Sequence, residues 1–83
     1  MEYRTFYNEG DKTCRIFDNL ITKIENLDAT ECRRRCDYMK ECKFFYHSQF
    51  SENTPCMIFK SCNGLQTMSR LHGTTYVKFR RGK

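Results

Sequence analysis

The clearest hydrophobic pattern lies in the stretch DATECRRRCDYMKECKFF, where apolar positions recur at helical spacing. Cys32 and Cys36 stand four residues apart, so their side chains leave one face of a helix, one turn above the other. Asp28 followed three positions later by Glu31 is a capping-box sequence, which marks a helix start. The pattern therefore predicts a helix over residues 29–40 with a cysteine-bearing apolar face.

Strand-like segments flank this helix on both sides. Aromatic and β-branched residues favour pleated sheets, and here they are concentrated between turn-forming residues. The predicted strands are residues 2–7, 20–24, 44–47, 56–60 and 74–79. A short apolar–polar run at 13–17 is predicted to end at an Asp-Asn pair, and residues 61–75 are predicted to be irregular. One helix against an antiparallel sheet of about five strands is an α+β domain.

The size of the chain limits its hydrophobic core. It has 83 residues, 39% of them hydrophobic, and is predicted to form a single domain over residues 1–83. A domain of this size buries only about 60% of its unfolded surface, so the core alone gives marginal stability. Six cysteines offer covalent support, and an even, dense set is typical of a secreted disulfide scaffold. We therefore expect a small disulfide-rich domain outside the cell.

Hydropathy along the chain bears on its cellular context. There is no run of eighteen apolar residues, so no membrane insertion is predicted. The first residues, MEYRTFYNEG, lack the apolar core of a signal peptide. For an extracellular domain, this indicates a longer natural precursor. We expect the domain to be one module of a multidomain chain, for which a tandem array is a natural arrangement.

Charge is distributed unevenly along the chain. Residues 1–52 carry nine Lys/Arg and ten Asp/Glu, whereas residues 53–83 carry six Lys/Arg and no acid. A basic C-terminal third favours an anionic partner such as a sulfated glycan or an acidic protein, and a solubilising surface is the alternative. Arg suits such partners because its fork binds carboxylate or sulfate bidentately. The candidate contacts are Arg33, Arg34, Arg35, Lys40, Lys43, Lys78 and Arg80.

Six cysteines allow about fifteen complete pairings, and the predicted elements reduce that number. Cys36 at the helix end and Cys42 at the next strand start enclose a short reversal, so they are natural partners. Cys32 lies one helical turn earlier. It can reach Cys56 on the strand that is expected to pair with the strand at 44–47. The last two cysteines remain for each other. The predicted disulfides are Cys14–Cys62, Cys32–Cys56 and Cys36–Cys42.

A zinc site is the competing interpretation of the same residues. Its ligands would be Cys32, Cys36, Cys42 and Cys56 with His47 or His72. Structural zinc sites usually show two short C-x2-4-C knuckles, and only one pair here has that spacing. No Ser-His-Asp arrangement, P-loop or paired carboxylate site is visible, and an even cysteine set does not suggest a lone catalytic thiol. The sequence predicts no metal, no cofactor and no enzymatic activity.

The order of these segments resembles the PAN/apple family. The matching features are DNLITKIENL, DATECRRRCDYMKECKFFYH, CMIFKSC and the closing TTYVKF. The resemblance covers about residues 12–80, and its most specific part is the C-x3-C-x5-C spacing followed by C-x-I-F. It implies a helix cradled by a curved antiparallel sheet and the pairs Cys32–Cys56 and Cys36–Cys42. The short Cys56–Cys62 spacing departs from plasma protease zymogen apple domains and is more similar to apicomplexan microneme adhesins.

The resemblance implies a non-catalytic adhesion module that binds a cell-surface protein or glycan, as parasite adhesins do in host-cell invasion. The fold does not define the ligand, and no family binding motif transfers to this chain residue by residue. A protein–protein or spacer module that contacts neighbouring domains stays open. So does a neutral-sugar lectin that uses Tyr38, Tyr46, His47 and Tyr76. Nucleic acid is not expected as a partner, because oxidised cysteines indicate an extracellular protein.

Overall fold

A computed structural model describes residues 2–10, 12–48, 54–68 and 72–79 of the chain. Its elements are β1 (Glu2–Gly10), β2 (Lys12–Cys14), α1 (Ile16–Asn19), β3 (Leu20–Ile24), α2 (Ala29–Tyr38), β4 (Phe44–His47), β5 (Cys56–Phe59), β6 (Leu65–Thr67) and β7 (Gly73–Phe79). Five strands form an antiparallel sheet in the order β1-β7-β4-β5-β3, and β2 pairs with β6 separately. The predicted α+β class with a five-stranded sheet is confirmed. No helix in the described ranges has the length and apolarity needed to cross a membrane.

Strand β4, at the centre of the sheet, and its neighbour β5 bury side chains on both faces. Phe45 and Ile58 are cross-strand partners that pack in the cluster beneath α2. The neighbouring pair, Tyr46 and Met57, belongs to a second cluster on the opposite face with Cys14. Because side chains alternate along a strand, a strand covered on both faces reads as an uninterrupted apolar run, as CMIF does.

Helix α2 begins where the sequence predicts. An Asp28 carboxylate oxygen accepts a hydrogen bond from the Glu31 N–H at 2.8 Å, which makes Asp28 the N-cap. Leu27, just before the cap, packs against the cluster that contains Cys32, as a hydrophobic staple does. The helix ends at Tyr38, two residues before the predicted end.

Three disulfides join the elements in the predicted pairs. They are Cys14–Cys62, Cys32–Cys56 and Cys36–Cys42. The first ties β2 to the segment that follows β5, the second ties α2 to β5, and the third closes the reversal after α2. Their Cα–Cα distances are 5.0, 5.6 and 5.3 Å, all within the usual range for a disulfide. The described chain has no free cysteine, so the zinc alternative loses its ligands.

Two short elements differ from the sequence-based expectation. Ile16–Asn19 forms α1 although its Asp-Asn pair suggests a break, and Leu65–Thr67 forms β6 within the stretch predicted to be irregular. Asn19 is 1% exposed, and its Nδ2 donates to the Arg15 carbonyl at 2.8 Å and to Asn63 Oδ1 at 2.9 Å. A residue typical of turns is therefore a buried, hydrogen-bonded link between α1 and the segment before β6.

Candidate functional site

An open groove lies beside α2 on one face of the sheet. The helix packs on β4 and β5, whereas β7 and β1 continue the sheet beyond it. The step between the helix and these outer strands encloses about 360 Å³. We call it the α2–β7 groove. Its lining residues are Tyr3, Arg4 and Thr5 of β1, Ala29, Thr30 and Arg33 of α2, Phe45 of β4 and Tyr76 of β7.

Three aromatic rings form the floor of the α2–β7 groove. Phe45 is 3% exposed and lies between two half-buried tyrosines. The Tyr3 ring meets it edge-on with centroids 5.1 Å apart, and the Tyr76 ring stacks on it at 4.8 Å. This packing follows from the strand register, because Thr5 and Phe45 are both cross-strand partners of Tyr76. The floor is thus a continuous aromatic surface on three neighbouring strands.

One cationic side chain stands over this floor. The Arg33 guanidinium carbon lies 5.0 Å from the centre of the Tyr3 ring, a cation–π contact. Arg4 also lines the groove, but its guanidinium carbon lies 4.4 Å from the centre of the Phe79 ring. Because Arg4 and Tyr3 are adjacent in a strand, their side chains point to opposite faces. Among the described residues, the charged side chains that line the groove are Arg4 and Arg33, and the Asp37 carboxylate lies at its edge, where it accepts a hydrogen bond from Tyr3.

The phenol of Tyr3 is held in its neutral form. Its hydroxyl donates to Asp37 Oδ1 at 2.6 Å. Burial raises the pKa of Tyr3 well above its usual value, and the hydrogen bond and charge of Asp37 raise the pKa further. Arg33 opposes this shift, because a cation favours the phenolate. At neutral pH, Tyr3 is therefore a fixed donor that joins β1 to α2.

A smaller depression of about 210 Å³ continues the groove towards the end of β4 and shares Ala29 and Tyr76 with it. We call it the histidine end, because His47 and His72 line it. His47 is 5% exposed, and its Nε2 lies 2.7 Å from the Leu27 carbonyl. Since a carbonyl only accepts, Nε2 carries the proton in this contact. His47 therefore anchors the segment that leads into α2.

Glycine is required where β7 begins at the histidine end. A Cβ built on Gly73 would lie 2.2 Å from the backbone oxygen of His47 and 2.8 Å from the Cα of Ser48. Backbone atoms cannot yield as a flexible side chain does. Any larger residue at this position would push β7 away from β4 and change the shape of the groove.

The three consecutive arginines predicted as contacts do not form one patch. Arg33 lines the α2–β7 groove. Arg34 Nη1 donates to Glu31 Oε2 at 3.2 Å in an exposed i,i+3 pair. Arg35 is exposed in the last turn of α2. Successive residues on a helix are about 100° apart, so only one of the three can face the groove directly.

The four other predicted basic contacts lie away from the groove lining or outside the described residues. Lys78 Nζ donates to the Cys36 carbonyl at 2.8 Å and to the Met39 carbonyl at 3.3 Å. Its ammonium therefore satisfies acceptors at the C-terminus of α2, where a cation also suits the helix dipole. Lys40 and Lys43 are exposed on the connection to β4. Arg80 lies outside the described residues.

The aromatic residues named for a lectin site are separated by the fold. Tyr76 lines the α2–β7 groove and His47 lies at its histidine end. Tyr46 is completely buried on the opposite face, whereas Tyr38 is 80% exposed. Sequence reasoning missed Tyr3, which belongs to the groove. Its alternating strand was visible, but only the β1–β7 pairing shows which strand it faces.

In the described part of the chain, no group of three or more His, Cys, Asp or Glu side chains is arranged to hold an ion.

Fold and groove together define a small, disulfide-linked α+β domain with an open aromatic groove. Searches against protein-family models, curated proteins and solved structures found no match for this chain. The resemblance to the PAN/apple family therefore stays a prediction from the sequence.

Proposed function

We propose that the domain is a non-catalytic, extracellular recognition module that binds a receptor or glycan on a cell surface or in the matrix. The observation that carries this proposal is the α2–β7 groove, in which Tyr3, Tyr76 and Arg33 line a space of about 360 Å³. This volume is at the lower end of the range for ligand sites, about 300–1,000 Å³. Its aromatic floor with one cation suits binding rather than bond cleavage.

The disulfides support the same proposal through rigidity. Cys32–Cys56 and Cys36–Cys42 hold α2, which forms one wall of the groove, against the sheet. A wall that is ordered before a ligand arrives reduces the entropy lost on binding. Disulfides also persist in oxidising compartments, which fits an extracellular location.

Binding of the fully oxidised chain to intact cells and to a glycan array tests the proposed function. The array should include sulfated, carboxylated and neutral saccharides, and the cells should be measured before and after enzymatic removal of surface glycans. We expect saturable binding to cells or array and no turnover of the bound ligand. Absence of saturable binding to both would contradict the proposal.

A protein-binding or spacer role in a multidomain chain is the second candidate. Phe17 on α1 is 91% exposed and Tyr38 at the end of α2 is 80% exposed. Aromatic residues are enriched in the cores of protein interfaces. If a protein partner uses them, F17A/Y38A will lose cell binding while R33Q keeps it. The opposite pattern supports the groove.

A further inference from the structure

The aromatic floor favours a ligand with a flat apolar face. Tyr76 is half-buried, so part of its side chain stays accessible beside the buried Phe45, whereas the Arg33 guanidinium lies over the Tyr3 ring. A pyranose ring has faces made of C–H groups and an equator of hydroxyls. Such a face packs on an aromatic ring while the hydroxyls hydrogen-bond to polar neighbours. Thr5 and Thr30 are exposed residues of the lining, and their hydroxyls are of a type that can make such hydrogen bonds.

Arg33 favours a ligand that carries a negative charge in addition to a flat apolar face. Its guanidinium stands over the Tyr3 ring, and none of the described residues that line the groove is acidic. A guanidinium has five N–H donors, so Arg33 can retain its present contacts while it binds an anion. A carboxylate matches two of these donors in a bidentate pair. The nearby Asp37 carboxylate is bound by the Tyr3 hydroxyl.

The volume of the groove limits the length of the ligand. About 360 Å³ suits one or two sugar rings, whereas an extended polyanion requires a row of cations along the surface. Among the described residues, the cations that line the groove are Arg4 and Arg33, whereas Arg34 pairs with Glu31 and the Lys78 ammonium binds helix carbonyls. A short acidic saccharide fits both the charge and the size.

We propose that the α2–β7 groove binds a saccharide ring that carries a carboxylate, with the ring against Tyr76 and the carboxylate on Arg33. This inference rests on the proposed function and specifies its ligand class.

A matched pair of small glycosides tests the ligand class directly. Methyl β-D-glucuronide and methyl β-D-glucoside differ only in a carboxylate that replaces a hydroxymethyl group. Each is titrated into the oxidised, isotope-labelled chain and followed by amide NMR. We expect the glucuronide to shift the amides of Ala29, Thr30 and Tyr76 in a saturable way. The glucoside should bind at least about tenfold more weakly, since hydrogen bonds to charged groups contribute about 1.5–3 kcal/mol.

Two variants of α2 distinguish a specific role of the Arg33 side chain from a general effect of positive charge on the helix. R33Q should weaken glucuronide binding by about tenfold or more. The matched control R35Q removes the same charge from an exposed position outside the groove lining and should leave the affinity unchanged within about twofold. The amide spectra of both variants should retain the dispersion of the wild-type fold.

Four results would overturn the inference. They are equal binding of the two glycosides, unchanged glucuronide affinity in R33Q, preference for the sulfate ester of the glucoside, and shifts confined to the outer face of α2. Each of them leaves the proposed recognition function intact if the chain still binds cells. Loss of all cell and glycan binding would instead overturn both.

Discussion

At the scale of single residues, Lys78 shows why a basic sequence does not by itself define a binding surface. In the sequence it is one of six cations in an acid-free C-terminal third. In the fold its Nζ donates to the Cys36 and Met39 carbonyls at the end of α2. The ammonium binds backbone acceptors from a strand distant in sequence, which no local pattern predicts.

Replacing Lys78 with methionine should therefore lower stability. K78M keeps the length of the side chain and removes the donor, so two helix carbonyls lose a charged partner. We expect the free energy of unfolding to fall by about 1–2 kcal/mol, measured by urea denaturation of the oxidised chain. The control K43M changes an exposed lysine and should stay within about 0.5 kcal/mol. Equal losses in the two variants would show that Lys78 has no such role.

Tyr3 makes the stability of the fold depend on pH in the alkaline range. Burial, followed by the hydrogen bond and charge of Asp37, raises its pKa in the folded state above the ordinary value of about 10. The folded protein thus holds the phenolic proton more tightly than the unfolded chain does. This stabilisation is complete below about pH 10 and is lost progressively as the pH rises above it.

Y3F should reduce the dependence of the unfolding free energy on pH in this alkaline range. Urea unfolding from about pH 9 to 11 should show a steeper loss of stability in the wild type than in Y3F, since only the wild type carries the protected phenol. Y38F is the matched control, because Tyr38 is 80% exposed, and should keep the wild-type slope. A slope unchanged in Y3F and reduced in Y38F would contradict the assignment.

At the scale of elements, local patterns predicted most of the fold. β3 and β4 begin and end at the predicted residues, and the capping box gives the start of α2 at Ala29. The end of α2 was less predictable, because the Lys78 contact and the reversal closed by Cys36–Cys42 involve tertiary structure. Predictions were most accurate where neighbouring residues determine the conformation.

The elements that sequence analysis missed depend on distant partners. β6 has three residues and pairs with β2, about fifty positions earlier in the chain. Helix α1 depends on the buried Asn19 and its hydrogen bond to Asn63. The α2–β7 groove has the same origin, because β1 and β7 lie at opposite ends of the sequence. Arg33 and Tyr76 were each predicted as contacts for different ligands, and only the fold brings them to one groove.

The three disulfides should differ in their contribution to stability. Their sequence separations are 6 residues for Cys36–Cys42, 24 for Cys32–Cys56 and 48 for Cys14–Cys62. The chain-entropy relation gives about 2, 3.5 and 4 kcal/mol respectively, because a longer closed loop restricts the unfolded chain more.

Paired Cys→Ala variants test this order, with unfolding free energies measured in urea. The variant C36A/C42A should lose the least unfolding free energy, and C14A/C62A should lose the most. If the shortest loop proved the most costly to open, stabilisation would come mainly from native packing, since Cys36 and Cys42 are both buried.

At the scale of the whole molecule, the cross-links divide the structure into two parts. All three disulfides lie between residues 14 and 62, which include α2, β4 and β5. Strands β1 and β7 lie outside that interval and are held by ladder hydrogen bonds and side-chain packing. One wall of the α2–β7 groove is therefore covalently fixed, and the other is not. Local opening of β1 and β7 requires less free energy than unfolding of the core.

The pairing of β1 with β7 also determines how the domain responds to mechanical force. Glu2 lies opposite Phe79, so the two ends of the described chain leave the sheet at the same corner. Tension applied there would unzip the two strands one residue pair at a time, beginning beside Tyr3, while the disulfides resist further extension. Because β1 and β7 line the α2–β7 groove, a load at this corner would open the groove long before it reached the disulfide-linked core, and the groove would re-form once the load was removed.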